Sequence, residues 1–202
     1  MAERLEPLYD AAEMRAAEER YPGYPESIPE LMERAGTAVA REAMLSFPAA
    51  RSFGCVCGGG SNGGDGRVTA RVLREAGHVA EDVTEGLDAY DVVVDALFGT
   101  GFRGEPRPEA AELIARMNGL SAPVVSVDLP SGVDASTGEV AGAVVNADLT
   151  VTFHALKVGL AVGPGRYHAG TVVVADIGLE AVPTAIRRAT PALLADVPRR
   201  GP

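Results

Sequence analysis

Three short segments of this chain carry residue types that could do chemistry. The first is Gly58-Gly59-Gly60-Ser61-Asn62-Gly63-Gly64-Asp65-Gly66, which follows an apolar run and precedes a helical pattern. Glycines 58, 60 and 63 satisfy the G-x-G-x-x-G spacing, which lets a backbone approach a pyrophosphate at a helix N-terminus. The Gly-Lys-Ser/Thr ending of a P-loop is absent. Asp65 complicates a plain phosphate reading, because a carboxylate at a helix start competes for the same positive end. Asn62 and Asp65 are therefore candidates for a sugar hydroxyl or a cation, with simple helix capping by Asp65 the structural alternative. The second segment, Gly99-Thr100-Gly101-Phe102-Arg103-Gly104-Glu105, leaves a strand that bears Asp95. Arg103 and the amides of such a loop could hold a pyrophosphate, or the segment could be a connector. The third, Val127-Asp128-Leu129-Pro130-Ser131-Gly132-Val133-Asp134, sets Asp128 at another strand end, where a carboxyl can act as general acid or base or merely close a turn. A hydrolase built on Ser131 and His154 is disfavoured, since the G-x-S-x-G elbow is missing.

The elements that must position these segments read as alternating strands and helices. Strands are expected at Phe53 to Cys57, Asp91 to Leu97, Pro123 to Leu129, Leu149 to Phe153 and Thr171 to Ile177, with a weaker one near Val79 to Val83. Helices are expected from Asp65 to Ala76 and from about Pro108 to Met117, where Ala110, Leu113, Ile114 and Met117 form an apolar stripe. This alternation predicts a Rossmann-like α/β fold, a three-layer αβα sandwich with a mostly parallel central sheet. The strand ends of such a sheet are where ligands bind. The first 50 residues read as helical. Ser27-Ile28-Pro29-Glu30 matches a capping box, and Ile28, Leu31, Met32, Ala35 and Val39 form a stripe for core or dimer contact. One domain over 1–189 is expected, with 190–202 as a tail or linker.

Composition narrows the partners. A net charge of −10 argues against nucleic acid, which is bound through clustered Lys and Arg. It also means that an anionic small ligand must be held by local donors or a bound cation. No apolar run approaches the roughly 20 residues of a membrane span, and the N-terminus lacks secretory-signal features, so a cytoplasmic setting is expected. Cys55 and Cys57 are expected to face the same side of a strand as buried thiols. With His78, His154 and His168 scattered singly, no zinc site is expected. Among 18 basic residues, Lys157 is the sole lysine, a candidate for a position where an ammonium and a guanidinium are not interchangeable.

Five motifs in this order resemble the NAD(P)H-hydrate epimerase family, also known as the YjeF N-terminal domain. They are Gly60 to Gly66, Asp95 to Gly104, Val127 to Asp134, Phe153-His-Ala-Leu-Lys-Val-Gly159 and Gly170 to Gly178, and the resemblance runs from Leu31 to Gly178. It implies an isomerase that interconverts the R and S forms of hydrated NADH and NADPH (NADHX and NADPHX). It further implies substrate contacts from Ser61, Asn62, Gly63, Gly64 and Asp65 and from Gly99 to Glu105. Asp128 would sit beside the reacting ring, Lys157 would orient it or hold substrate, and Asn62, Asp95 and Ser131 would hold a potassium ion. A homodimer and a fused or separate NAD(P)HX dehydratase are implied as partners. Two features depart from the family pattern: Ser61 stands where asparagine is usual, and the interval from Asp65 to Asp95 is short. Two other functions fit the same fold. One is an NAD(P)-dependent oxidoreductase with an acidic ribose contact near Glu81 or Asp82; the other is a non-catalytic dinucleotide-binding or interaction module.

Overall fold

The computed structural model describes residues 5–194. Its centre is a six-stranded sheet of β2 (Ser52–Cys57), β3 (Val79–Asp82), β4 (Val92–Ala96), β5 (Val124–Val127), β6 (Leu149–Phe153) and β8 (Thr171–Ala175). The spatial order is β3-β2-β4-β5-β6-β8, and every pairing is parallel. Alternation along the strands divides the core into two layers. Phe53, Cys55, Val92, Val94, Val125 and Val127 pack towards α2 (Ile28–Ser46) and α3 (Ser61–Glu75), whereas Val56, Val93 and Val124 pack with Ile114 and Met117 of α4 (Pro108–Asn118). The expected three-layer sandwich is therefore present, with helices on both faces of a wholly parallel sheet.

A second, smaller sheet was not foreseen. Leu5–Tyr9 is strand β1, not helix; it pairs in parallel with β7 (Leu156–Lys157) and antiparallel with β9 (Arg187–Ala189). The register sets Tyr9 opposite Lys157. Tyr9 Oη donates to the carbonyl of Val182 at 2.7 Å and accepts from its amide at 2.9 Å, fixing β1 to the segment before β9. These bonds seat α1 (Ala11–Glu19) over the main sheet, with Met14 and Ala17 buried. The capping box lies here: Asp10 accepts from the Glu13 amide at 2.8 Å, and Glu13 accepts from the Asp10 amide at 2.9 Å. At the position expected from the sequence, Ser27 precedes α2 in αR backbone geometry and makes no capping bond; its buried Oγ has no partner. Leu31, Ala35 and Val39 of the α2 stripe are buried in the cluster between helices and sheet, whereas Ile28 and Met32 lie outside it. At the other end, Pro191–Leu194 forms a helical turn, and residues 195–202 of the expected tail lie outside the described residues. Among the described residues, no helix is long and apolar enough to cross a membrane.

Helix α3 starts earlier than its sequence suggests, at Ser61 with Gly60 as N-cap. Gly63, Gly64 and Gly66 are thus helical, and their value is closeness of packing. A Cβ on Gly63 would lie 1.9 Å from the Gly58 carbonyl oxygen, and one on Gly66 would lie 2.5 Å from Ala96 Cβ and 2.9 Å from Cys57 Sγ. The helix rests directly on the ends of β2 and β4, as the last glycine of a dinucleotide fingerprint allows. Gly66→Ala should cost about 1–3 kcal/mol through overpacking, read as a lower urea midpoint at unchanged m-value. An unchanged midpoint would show that this contact is looser than described.

Candidate active site

The bends that follow β2, β4 and β5, three neighbouring strands, line one crevice of about 950 Å³. Its wall includes Gly59 to Asn62 and Asp65 from the first segment, Leu97 to Arg103 from the second and Asp128 from the third. Gly63, Gly64, Gly104 and Glu105 are not on this wall. The first two serve packing, and Glu105 lies against Gly142. Ala11, Ala12, Arg15 and Glu18 from α1 and Tyr24, which carried no sequence signal, complete it, together with Ile28, Leu31, Met32 and Ala35 of the α2 stripe and Phe153 and Ile177 of the later motifs.

Asp128 forms the floor. It lies at the C-terminal end of β5 with φ of 66°, a left-handed conformation that aspartate tolerates better than most residues. Its amide donates to the Val151 carbonyl at 2.8 Å. The Thr100 amide and Oγ1 both donate to Oδ2 at 3.1 Å, and Thr152 Oγ1 donates to Oδ1 at 3.1 Å. Lys157 Nζ completes the set at 2.8 Å from Oδ1 while donating to the Phe153 carbonyl at 2.7 Å. Lys157 is wholly buried, so it does not line the crevice; it stands behind Asp128 and holds it. This explains the lone lysine: a guanidinium would bring five donors into a pocket that satisfies a compact ammonium.

Asp95 ties the second and third segments together. Its carboxylate is fully buried and accepts from Ser131 Oγ at 2.5 Å, the Ser131 amide at 2.9 Å, Ser126 Oγ at 2.8 Å and the Leu97 amide at 3.3 Å. Burial pushes its carboxyl up, opposed by those hydrogen bonds. Ser131 Oγ also accepts from the Phe98 amide at 2.9 Å. Buried and engaged in this way, Ser131 is no nucleophile. Nor does His154 act as its base: that ring packs edge-on against Tyr9, and burial, then the Lys157 ammonium, push it down.

The first segment contributes two groups without protein partners. Asn62 is buried, and its Nδ2 has no hydrogen bond. Asp65 is the fifth residue of α3 and so is not its cap; its side chain is half-buried on the crevice wall. Gly99 keeps the neighbouring space open, since a Cβ there would lie 2.8 Å from Asn62 Oδ1 and 3.2 Å from Asp128 Oδ2. Arg103, the expected pyrophosphate ligand, reaches the wall but pairs with Asp134 at 3.1 Å. Glu81 and Asp82, the acidic ribose contacts of a dehydrogenase, are occupied elsewhere, by Tyr90 and by Arg67, and neither lines the crevice.

Comparison with known proteins gives the following. The family model described as YjeF-related protein N-terminus matches residues 29–83 and 77–159. The NAD(P)H-hydrate epimerase of Limosilactobacillus fermentum is 37% identical over 198 residues, which cover 82% of this chain and 94% of that protein. The bifunctional NAD(P)H-hydrate repair enzyme Nnr of Escherichia coli is 38% identical over 181 residues, 75% of this chain and 35% of that protein. The chain thus spans about a third of the bifunctional relative's length. A crystal structure of the yeast protein ynu0 superposes with a TM-score of 0.69 at 18% identity, covering 91% of this chain and all of that one, and so shares its fold.

Burial pushes the Asp65 carboxyl up to about 8, reinforced by Asp128 and Glu18. The folded protein then holds this proton more tightly than the unfolded chain does, so stability from this group is lost as pH rises from 3.8 towards about 8. In urea melts at about pH 5 and about pH 8, Asp65→Asn should flatten that decline and raise stability at the higher pH. Equal slopes in variant and wild type would contradict the placement of Asp65.

Proposed function

The chain belongs to the family of YjeF-related protein N-termini, and from this membership and the crevice we propose that it epimerises hydrated NADH and NADPH. The observation that carries the reading is the convergence of three strand-end bends on one crevice with Asp128 at its floor. In the hydrated nicotinamide ring, the carbon bearing the hydroxyl adjoins the ring nitrogen. The nitrogen lone pair expels that hydroxyl as water, leaving a planar iminium, and water adding from the opposite face inverts the centre. Asp128 carries the proton in this scheme. Its carboxyl relays to the departing hydroxyl a proton supplied by the paired Lys157 ammonium, and the pair takes a proton back from the incoming water, a role that contributes roughly 10²–10⁴-fold. Lys157 and Thr152 hold Oδ1, while Oδ2 faces the glycine-rich loop, where the substrate hydroxyl would take the place of the Thr100 hydroxyl against it.

A potassium ion held by Asn62, Asp95 and Ser131 fits the residues present. All three offer oxygens, and among the described residues no basic side chain lies against the buried Asp95 carboxylate, whose hydrogen bonds from Ser131, Ser126 and Leu97 the ion would replace in part. Once bound, such an ion supplies positive charge that offsets an anionic ligand in a chain of net charge −10. In our reading the protein works in the cytoplasm as a homodimer, beside a fused or separate dehydratase that consumes one epimer.

Supplying the R epimer of hydrated NADH and monitoring the S form with a coupled S-specific dehydratase tests the activity. Turnover is expected; oxidation of intact NADH, or binding without turnover, would refute the reading. In water enriched in oxygen-18, each inversion should install one labelled hydroxyl, whereas inversion without exchange would rule out the iminium route. Asp128→Asn should lower kcat by at least about 10²-fold while substrate still binds. Because that change strands a buried ammonium, Asp128→Asn with Lys157→Met serves as the folded comparison, and full turnover in either variant would remove the assignment.

A further inference from the structure

We infer that Arg15, on the N-terminal helix α1, is a phosphate-holding residue that pairs with Arg103 to form a clamp on the crevice rim. The inference rests on the reading of the substrate as a dinucleotide. Such a molecule carries a pyrophosphate, and in its phosphorylated form a ribose 2′-phosphate, yet it must bind a strongly acidic protein. The crevice wall is itself polarised. Glu18, Asp65 and Asp128 supply three carboxyls, and the basic side chains on the wall are Arg15 and Arg103.

Arg15 and Arg103 lie on one stretch of rim. The Ala11 amide donates to Ser136 Oγ at 3.1 Å, and Arg103 Nη2 reaches the same oxygen at 3.4 Å, so the start of α1 and the glycine-rich loop meet at Ser136. Arg15 is four residues on, one turn or about 6 Å along the same helix face. Ala11, Ala12, Arg15 and Glu18 all line the crevice, as that periodicity requires. Each arginine is largely exposed and holds a replaceable carboxylate, Arg15 with Glu19 at 2.8 Å and Arg103 with Asp134 at 3.1 Å. The Arg15–Glu19 pair is exposed on both sides and contributes little, so exchanging Glu19 for a phosphate oxygen costs little and gains a charge-assisted bond; Asp134 is mostly buried and keeps the Ser136 and Thr137 amides when the exposed Arg103 guanidinium turns to a phosphate. The resulting gradient orients the ligand, with phosphates towards the arginines and the ring that becomes cationic towards the carboxyls.

The test compares wild type, Arg15→Ala and Glu19→Gln with hydrated NADH and hydrated NADPH, and measures Kd for intact NADH and NADPH as non-reacting probes. Arg15→Ala should raise KM and Kd about tenfold, leave kcat unchanged and weaken their dependence on salt. Glu19→Gln, which frees Arg15, should lower both constants. Equal effects on the two dinucleotides would assign Arg15 to the pyrophosphate; an effect confined to NADPH and its hydrate would assign it to the 2′-phosphate. Unchanged constants in Arg15→Ala, or a rise in Glu19→Gln matching that in Arg15→Ala, would overturn the inference. If wild type fails to turn over while the Kd values still respond, the epimerase reading fails and the clamp stands.

Discussion

The site is organised around one buried ion pair, Asp128 with Lys157. Removing two charges from water carries a penalty of several kcal/mol per ion, which mutual attraction offsets only when the remaining donors and acceptors are also satisfied. Here most are: two of the three ammonium donors meet Asp128 and the Phe153 carbonyl, and the carboxylate accepts from Thr100 and Thr152. Those partners come from the bend after β4 and from β6 and the residue that begins α5 (Val158–Ala161) as its N-cap, so satisfying one pair fixes four separate stretches of chain. Asp95 performs the parallel task one strand away, joining Leu97 and Ser126 to Ser131. Together these two carboxylates convert flexible strand-end loops into a rigid floor.

Much of this was legible in the sequence because it depends on local signals. Short β-rich apolar runs alternating with helical patterns located all six strands of the main sheet, and the glycine and proline after three of them placed Asp95, Asp128 and the glycine-rich bends at strand ends. Topology then did the rest, since bends after adjacent parallel strands open on a common edge. The lone lysine was visible by count alone, although its role required a position: it stands behind the reacting group and not on the crevice wall.

What stayed hidden depends on contacts distant in sequence. Strand β1 has no internal reason to be extended apart from its partners near residues 156 and 187, so local pattern reads it as helix. The contribution of α1 to the crevice follows from that pairing and was equally invisible. At Ser27, a matching motif failed because backbone geometry, not residue type, decides whether a cap forms. At Ser61 to Gly64, glycine content suggested a loop where tertiary packing imposes helix, since intimate contact with the end of β2 and the bend beyond it compensates for the poor propensity of the glycines.

The small β7-β1-β9 sheet has a consequence for how the molecule comes into being. During synthesis α1 emerges well before the strands that hold its neighbour β1 in place, which lie about 150 and 180 positions later. Pairing over such separations forms late, because loop-closure entropy is lost before the contacts compensate for it. The crevice therefore gains its α1 wall only once β7 and β9 have been made, and a chain translated short of them can build the sheet edge without being able to grip a ligand there.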